Sequence, residues 1–377
     1  MDFRFTEEQK MLTKTARDFL SNKCPKTLVR RMEEDAKGYS AELWQEMAHL
    51  GWMGLVFPEK YGGSNMTFLD LAALLEETGR ACLPGPFLST VVLGGLPILD
   101  AGTEEQKQEY LPKIASGEAI LTLALTEPSA RYDPGSMAVK ATPEKGAYIL
   151  SGTKLFVPDA HIADYLLCVT RTDEQAKGED GITIFLVDAN GPGVSYTVLD
   201  TMAKDKLCEV VFDGARVPNQ NVLGELDQGW GEVQKTMERA AIGKCCEMIG
   251  GAQQVLEVAV DYAKGRVQFG QPLGSFGTIQ AACADMLVDL ESSKLITYEG
   301  AWKLSQGLPS AKEVSMAKSW VGDAYRRITV MGQHIYGGIA FIVDHDLPIY
   351  FRRAKPAAMA FGDAEFHREK LAQELGL

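Results

Sequence analysis

The hydrophobic period changes twice along the chain, and this limits the folds that the chain can adopt. From residue 5 to about 118, apolar residues recur with helical spacing. From about 119 to 228 the period is that of strands, and from 229 to 377 it is helical again. The sequence therefore predicts an α+β multidomain protein with domains at 1–118, 119–228 and 229–377.

The first segment holds four predicted helices with recognisable end signals. Thr6 and Gln9 have the spacing of a capping box. Two further helices are predicted over 41–51 and 67–82, the second stopped by two prolines in the next four residues. The fourth covers 103–114, where Thr103 is placed to cap it.

The middle segment contains six short runs of β-branched and aromatic residues separated by turn clusters. The predicted strands are 119–126, 147–157, 164–172, 182–188, 194–199 and 207–213. Because no helical period separates them, they predict an antiparallel sandwich or barrel and not a Rossmann fold. No GxGxxG follows a strand, so a nicotinamide cofactor has no visible phosphate loop.

The last segment predicts a helical bundle. Three long amphipathic stretches, 230–265, 278–304 and 311–331, contain no interior proline. The helical period is expected to continue to the end of the chain.

Charge and cysteine content exclude several classes of protein. The formal net charge of −13 argues against a nucleic-acid binder, which would carry a basic face. The seven scattered cysteines predict buried free thiols, and no spacing indicates a metal site. The N-terminus lacks the features of a signal peptide, and no apolar run approaches the roughly 20 residues that cross a bilayer. These observations predict a cytoplasmic protein; a mitochondrial-matrix protein whose transit peptide has been removed is the alternative.

Four sequence motifs add a resemblance that covers nearly the whole chain. They are ALTEPSARYD from Ala124, SGTKLFVPDAHIADYLL from Ser151, FDGARVPNQNVLG from Phe212, and the pair RVQFGQPLGSF from Arg266 and YGGIAF from Tyr336. In this order, and within helices, strands and helices, they resemble the acyl-CoA dehydrogenases. The resemblance implies an N-terminal helical domain, a central β domain, a C-terminal four-helix bundle and FAD as cofactor.

The resemblance assigns the flavin ring to residues of the middle segment. Leu123, Leu125 and Thr126 correspond to the strand end that bonds the polar edge of the ring. Phe156 takes the place of the usual tryptophan and can still stack on a ring. Pro158 replaces the usual threonine or serine and offers neither a hydroxyl nor an N–H, which indicates a different contact to the flavin.

The resemblance assigns the FAD phosphates and adenine to the last segment. Arg266, Gln268 and Phe269 are similar to the stretch that reaches the FAD of a neighbouring subunit, and an arginine fork suits phosphate. Without the resemblance, Arg266 would be interpreted as a solvated surface charge. Gly337 and Gly338 would allow close approach of the backbone to the dinucleotide. His334 stands in the slot of the family's glutamine.

The expected catalytic base is absent from its usual place. Family dehydrogenation removes the α proton of a thioester while the β hydride passes to the flavin, so a carboxylate must lie over the substrate. The corresponding turn here is Ala360–Asp363, and the alternative slot of some members, on the first helix of the last domain, is Ala240. Asp363 is the first candidate base, with Glu238 and Glu247 as alternatives.

Three functions remain open from the sequence. The first is FAD-dependent α,β-dehydrogenation of an acyl-CoA with a bulky, cyclic or otherwise unusual acyl group, contacted by Tyr132 and Arg239. Electrons would pass to an electron-transferring flavoprotein, and the family implies a homotetramer or a heteromer with a related subunit. The second is a non-oxidative acyl-CoA lyase, such as a desulfinase or decarboxylase. The third is a non-catalytic subunit of a heteromeric dehydrogenase.

Overall fold

The computed structural model describes residues 5–173 and 175–377. In this part of the chain the α-helices are α1 Glu7–Lys23, α2 Lys26–Glu34, α3 Ala41–His49, α4 Phe68–Ala81, α5 Leu96–Ala101, α6 Glu104–Ala115, α7 Trp230–Gly265, α8 Gly277–Ser305, α9 Ala311–Tyr336, α10 Leu347–Met359 and α11 Ala364–Glu374. The strands are β1 Leu121–Ala124, β2 Lys140–Glu144, β3 Ala147–Pro158, β4 Tyr165–Arg171, β5 Ile182–Asp188, β6 Val194–Val198, β7 Leu207–Pro218, β8 Val222–Leu223, β9 Val267–Gln268 and β10 Gln271–Pro272. The order of helices, strands and helices confirms the predicted fold class.

The chain forms two compact units, each assembled from more than one stretch of sequence. The first unit contains the residues up to Arg31, Thr67–Leu83 and Ala241–Leu377. The second contains Met32–Met66 and Pro84–Ala240. The domain limits predicted at 118 and 228 describe the order of segments along the sequence and stay a prediction.

Helix starts follow local capping chemistry. In α1 the Thr6 hydroxyl accepts from the Gln9 N–H and the Gln9 side chain accepts from the Thr6 N–H, which confirms the predicted capping box. Thr103 and Gln106 make the same reciprocal pair at the start of α6. Each box satisfies two backbone groups that would otherwise lack a partner, so these helix ends are determined by neighbouring residues.

The second unit is built on a sheet with the strand order β6-β7-β3-β2-β4-β5-β8. Most pairings are antiparallel, as predicted, but β1 pairs with β4 in parallel, with Leu121 opposite Tyr165. A parallel pair needs a long connection, and about forty residues separate these two strands. The strand pattern did not predict β2, because only one of its five residues, Ala141, is buried.

The first unit is a helical assembly with one close helix crossing. A Cβ atom at Gly250 of α7 would lie 1.8 Å from the carbonyl oxygen of Glu76 on α4. Only glycine therefore allows the two backbones to approach this closely. Between the predicted helices 230–265 and 278–304, β9 and β10 form a short hairpin that was not predicted, and its turn residues Phe269 and Gly270 both have positive φ. Such a turn matches the twist of a two-residue hairpin.

The cysteines are free thiols. Six are buried and Cys283 is half-buried, which agrees with their interpretation as small apolar residues.

Candidate cofactor and active site

The predicted flavin contact lies at the end of β1, where the leucine residues are buried. The side chains of Leu123 and Leu125 are buried in the second unit, and Thr126 is half-buried. The Thr126 carbonyl accepts a hydrogen bond from the Leu155 N–H at 2.8 Å. The groups left to contact a ligand here are therefore the remaining backbone atoms and the Thr126 hydroxyl.

Phe156 is held in an unusual backbone conformation next to this strand end. The pairing of β3 with β7 shifts register between Lys154 and Val157, so Phe156 lies in a bulge. Its φ is +54°, a region that non-glycine residues rarely adopt, and its side chain is 50% exposed. Strained residues and bulges concentrate at functional sites. An exposed aromatic ring fixed in this way suits stacking on a planar ligand.

The first unit contains a cavity of about 420 Å³ at the predicted nucleotide contacts. Its lining includes Tyr262, Arg266, Gln268, Tyr336, Gly337 and Gly338. The volume lies in the range of small-molecule and cofactor sites. The structure thus brings together four of the six residues that the sequence assigned to the FAD phosphates and adenine.

Two glycines in the cavity lining have open space around them, and two tyrosines of the lining stack on each other. No heavy atom lies within 4 Å of a Cβ atom built on Gly337 or Gly338, so their backbone can be approached closely. Gly337 also has φ +66°, which favours glycine. The rings of Tyr262 and Tyr336 stack with centroids 3.9 Å apart, and the Tyr336 hydroxyl donates to the Val258 carbonyl. These tyrosines were not predicted.

Two predicted contacts lie away from the cavity lining. Phe269 is at the tip of the β9–β10 hairpin and is 91% exposed. His334 is exposed on α9, whereas the neighbouring Gln333 is buried.

The turn in the usual place of the catalytic base is held by three side chains. Lys318 is fully buried and donates from Nζ to the carbonyls of Ala358 and Gly362, at 2.7 and 2.8 Å. His367 Nε2 lies 2.9 Å from the Phe361 carbonyl oxygen. Asp363 is exposed and caps α11, with its Oδ1 accepting from the Phe366 N–H at 2.9 Å.

Burial lowers the pKa values of the two basic side chains that hold this turn. It lowers the pKa of Lys318 to about 8. It also lowers the pKa of His367 to about 4, with the Lys318 charge acting in the same direction. A histidine with this pKa is neutral at pH 7, so His367 donates its Nε2 hydrogen to the Phe361 carbonyl.

The other two candidate bases lie on α7. Glu247 forms an ion pair with Lys244, with 2.5 Å between Oε2 and Nζ, and both side chains are about one quarter exposed. Glu238 is half-buried. Arg239, predicted to contact substrate, pairs with Asp100. Tyr132, the other predicted substrate contact, is half-buried after β1.

Glu232, near the start of α7, is a largely buried carboxylate that was not predicted from the sequence. Burial, followed by the nearby Asp100, raises its pKa to about 7. Its Oε1 is buried without a hydrogen-bond partner, and its Oε2 lies 3.5 Å from Lys235 Nζ. Glu232 precedes the Ala240 slot by eight residues, so both lie on one face of the helix. That spacing is the signal that could have identified it.

Comparison with known proteins gives matches along the whole chain. Family models describe residues 6–118 as the acyl-CoA dehydrogenase N-terminal domain, 122–215 as its middle domain and 227–376 as its C-terminal domain. A 3-(aryl)acrylate reductase of Clostridium sporogenes (strain ATCC 15579) is 33% identical over 380 residues, which cover 98% of this chain and 99% of that protein. The caffeyl-CoA reductase-Etf complex subunit CarC of Acetobacterium woodii is 33% identical, with 92% and 93% covered. A solved structure, the FAD complex of PigA, superposes with a TM-score of 0.94 at 26% identity and full coverage of both chains.

The family models and the similarity to a solved FAD complex together define a flavoprotein. The chain belongs to the acyl-CoA dehydrogenase family, whose members are oxidoreductases acting on CH–CH groups, and its cofactor is FAD. The residues present fit this cofactor, because an arginine and two open glycines suit a pyrophosphate and an exposed aromatic suits a ring.

None of the helices described here is long and apolar enough to span a membrane. Within residues 5–173 and 175–377, no group of three His, Cys, Asp or Glu side chains could hold a metal ion.

Proposed function

We propose that the protein catalyses FAD-dependent oxidoreduction of the α,β carbon–carbon bond of an acyl-CoA thioester with a bulky, cyclic or aromatic acyl group. The observation that carries this proposal is the cavity of about 420 Å³ lined by Arg266, Gln268, Gly337 and Gly338. An arginine fork beside two glycines that have open space around them suits a pyrophosphate.

The chain's own residues are proposed to bind the cofactor at two places. Leu123, Leu125 and Thr126 offer backbone to the ring, and the half-exposed Phe156 and Pro158 lie along it. Arg266 and its hairpin reach the nucleotide part in an adjoining subunit, which the 91% exposure of Phe269 supports. FAD supplies the acceptor for the β hydride.

We propose Asp363 as the group that takes the α proton, with Glu238 and Glu247 as alternatives. Capping of α11 occupies Asp363 Oδ1. A carboxylate has two oxygens with about four lone-pair sites, so capping by one oxygen is compatible with proton acceptance by the other. A base must also lie within about 3 Å of the proton it removes, and hydrogen bonds of this kind often tighten only when substrate is bound.

The proposed acyl group and electron partner follow from the names of two relatives. One acts on aryl acrylates and the other on caffeyl-CoA, so both names denote aromatic acyl groups. The second is also a subunit of an Etf complex, which supports an electron-transferring flavoprotein as the redox partner. Both names denote reductases, so the reaction of this chain should be assayed in both directions. Tyr132 and Arg239 are proposed substrate contacts.

Anaerobic titration tests this function. The purified, FAD-loaded protein is mixed with saturated straight-chain, cyclic, aryl-propionyl and steroid-like acyl-CoAs while the flavin absorbance near 450 nm is followed. We expect bleaching with the bulky thioesters and little or none with the straight-chain ones. Dithionite-reduced protein mixed with the matching enoyl-CoAs tests the reverse direction. No change with any thioester in either direction would contradict the proposal.

A second candidate is a subunit of a heteromeric dehydrogenase whose partner supplies the base. It is favoured by the turn Ala360–Asp363, which contains no glutamate. The carboxylate of this turn, Asp363, caps α11. This candidate predicts little turnover by the chain alone, and turnover on co-expression with a related chain that carries a glutamate in the turn. A lyase remains the third alternative, and product formation without any electron acceptor would identify it.

A further inference from the structure

Lys154 and Glu127 form a buried ion pair that the proposed mechanism does not use. Lys154 is 0% exposed and Glu127 is 1% exposed, and 2.7 Å separates Nζ from Oε1. Lys154 Nζ also donates to the Leu125 carbonyl at 3.0 Å and lies 3.7 Å from the Met137 sulfur. The pair therefore connects β3 to the residues that follow β1.

Glu127 satisfies two further backbone groups from the other side. Its Oε2 accepts from the Ala138 N–H at 2.6 Å, and its Oε1 accepts from the Val139 N–H at 3.1 Å. The two side chains, which are themselves buried, thus satisfy one carbonyl and two N–H groups. Buried polar groups of this kind are costly when left without partners.

A buried ion pair by itself adds little to the stability of a protein. Replacing such a pair with apolar side chains of similar volume is often neutral or stabilising, because desolvation offsets the attraction between the charges. This pair therefore calls for another role. The group that it orients is the peptide unit between Leu125 and Thr126.

That peptide unit is rigid, so holding its carbonyl group also sets the direction of its N–H group. Peptide bonds are planar and trans, and the Thr126 N–H points away from the Leu125 carbonyl oxygen. Because Lys154 holds the carbonyl, it also sets the direction of the Thr126 N–H. The Leu155 N–H donates to the Thr126 carbonyl at 2.8 Å, and Phe156 follows directly in the bulge. One lysine thus connects both segments proposed to contact the flavin ring.

We propose that Lys154 and Glu127 are positioning residues for the flavin, which pre-orient the Thr126 N–H and the Phe156 ring before FAD binds. This inference rests on the proposed placement of the ring against Leu123–Thr126. Pre-orientation of a site reduces the ordering that binding must otherwise supply.

Two variants separate the Lys154 donor from the Glu127 carboxylate. Glu127→Gln removes the carboxylate and leaves Lys154 able to donate to the Leu125 carbonyl. Lys154→Met in the Glu127→Gln background also removes that donor at nearly constant volume. We expect the double variant to bind FAD at least tenfold more weakly than Glu127→Gln, measured by flavin fluorescence, with a Tm close to that of Glu127→Gln. We also expect a shift in its flavin absorption maximum. Equal FAD affinity and spectrum in the two variants would overturn the inference.

Hydrogen exchange on the wild-type protein provides a test that needs no variant. Pre-orientation predicts that the Leu155 amide is already protected in FAD-free protein and gains little protection when FAD is added. Protection of the Leu155 amide that arises only with FAD would overturn the inference. This test holds even if the double variant does not fold. Neither readout uses substrate. Wild-type protein that binds no FAD would contradict the proposed function itself, whereas equal binding by the two variants contradicts only the positioning role.

Discussion

The Asp363 carboxylate accepts a hydrogen bond from the backbone N–H of Phe366, with 2.9 Å between Oδ1 and N. The candidate base is therefore also the N-cap of α11. Capping and proton abstraction have different chemical requirements, since a serine can cap a helix but cannot take a proton from an α carbon.

Substitution of Asp363 separates capping from catalysis. We expect Asp363→Ala to lose about 1 kcal/mol of unfolding free energy and Asp363→Ser to stay close to wild type, because serine restores the cap. If Asp363 is the base, both variants keep FAD and lose nearly all turnover. Denaturant melts and stopped-flow flavin reduction measure the two effects. Normal reduction by Asp363→Ser would remove Asp363 as base and favour Glu238 or Glu247.

Arg266 is predicted to contribute to FAD binding through its guanidinium. Arg266→Gln removes a charged hydrogen-bond donor from the cavity, and loss of such a bond to an anion is worth about 1.5–3 kcal/mol. The Kd for FAD should rise by roughly 10- to 100-fold at unchanged Tm of the apoprotein. Arg31→Gln, at an exposed position on α2, is the matched control and should leave the Kd unchanged. Equal Kd values for the two variants would argue against the cofactor placement.

Glu232 should make stability depend on pH. Its pKa in the folded protein is raised to about 7 by burial, so the folded state prefers the protonated carboxyl. Its contribution to stability is fully present below the unfolded pKa, near 4.5, and is lost as pH rises through 7. Glu232→Gln should therefore gain stability relative to wild type between pH 5 and pH 8, with a Tm difference on the order of 2–4 °C. Glu238→Gln controls for loss of one negative charge from α7. A Tm difference that does not change with pH would contradict the buried-carboxyl interpretation.

Lys318 should stabilise the turn that contains Phe361. Lys318→Met leaves the carbonyls of Ala358 and Gly362 without their donor, and we expect a loss of about 2–3 kcal/mol at pH 7. The folded pKa is lowered to about 8, so the folded state prefers the neutral amine. Wild-type stability therefore gains from this group as pH rises above 8, and the difference between wild type and variant should widen from pH 7 to pH 9.5. Urea melts at several pH values test this. A difference that narrows over this range would contradict the assignment.

Gly250 should tolerate no side chain. Gly250→Ala places a Cβ atom 1.8 Å from the Glu76 carbonyl oxygen, so α4 and α7 must separate. We expect a loss of at least about 2–3 kcal/mol, as for an overpacked core. Gly231→Ala lies on the same helix with no atom within 4 Å of the added Cβ, and it should gain up to about 1 kcal/mol from helix propensity. Calorimetric melts of both variants provide the comparison. Equal melting temperatures would show that the crossing can relax.

Local features of the sequence predicted more of the fold than of the site. The helix starts at Thr6 and Thr103 and the six predicted strands depend on neighbouring residues, and each is present in the structure. The strand β2 was missed because it is largely exposed, so its side chains carry no alternating pattern. The parallel pairing of β1 with β4 joins residues about forty positions apart, which no local period records.

The site residues divide in the same way. Arg266, Gln268, Gly337 and Gly338 were found by motif, and the structure places all four in the lining of one cavity. Tyr262 was missed, because its stacking on Tyr336 depends on the meeting of two helices. Glu232 was missed because a raised pKa depends on burial and on Asp100, which lies on another element.

The order of helices and strands, the helix caps and the motifs of the family were determined by the sequence itself, because each depends on residues within a few positions of one another. Tertiary structure decided which buried charges meet, as in Lys154 with Glu127, and which groups lose water, as in Lys318 and Glu232. Those properties depend on desolvation and on distances across the fold. The pattern of residues along the chain does not contain them.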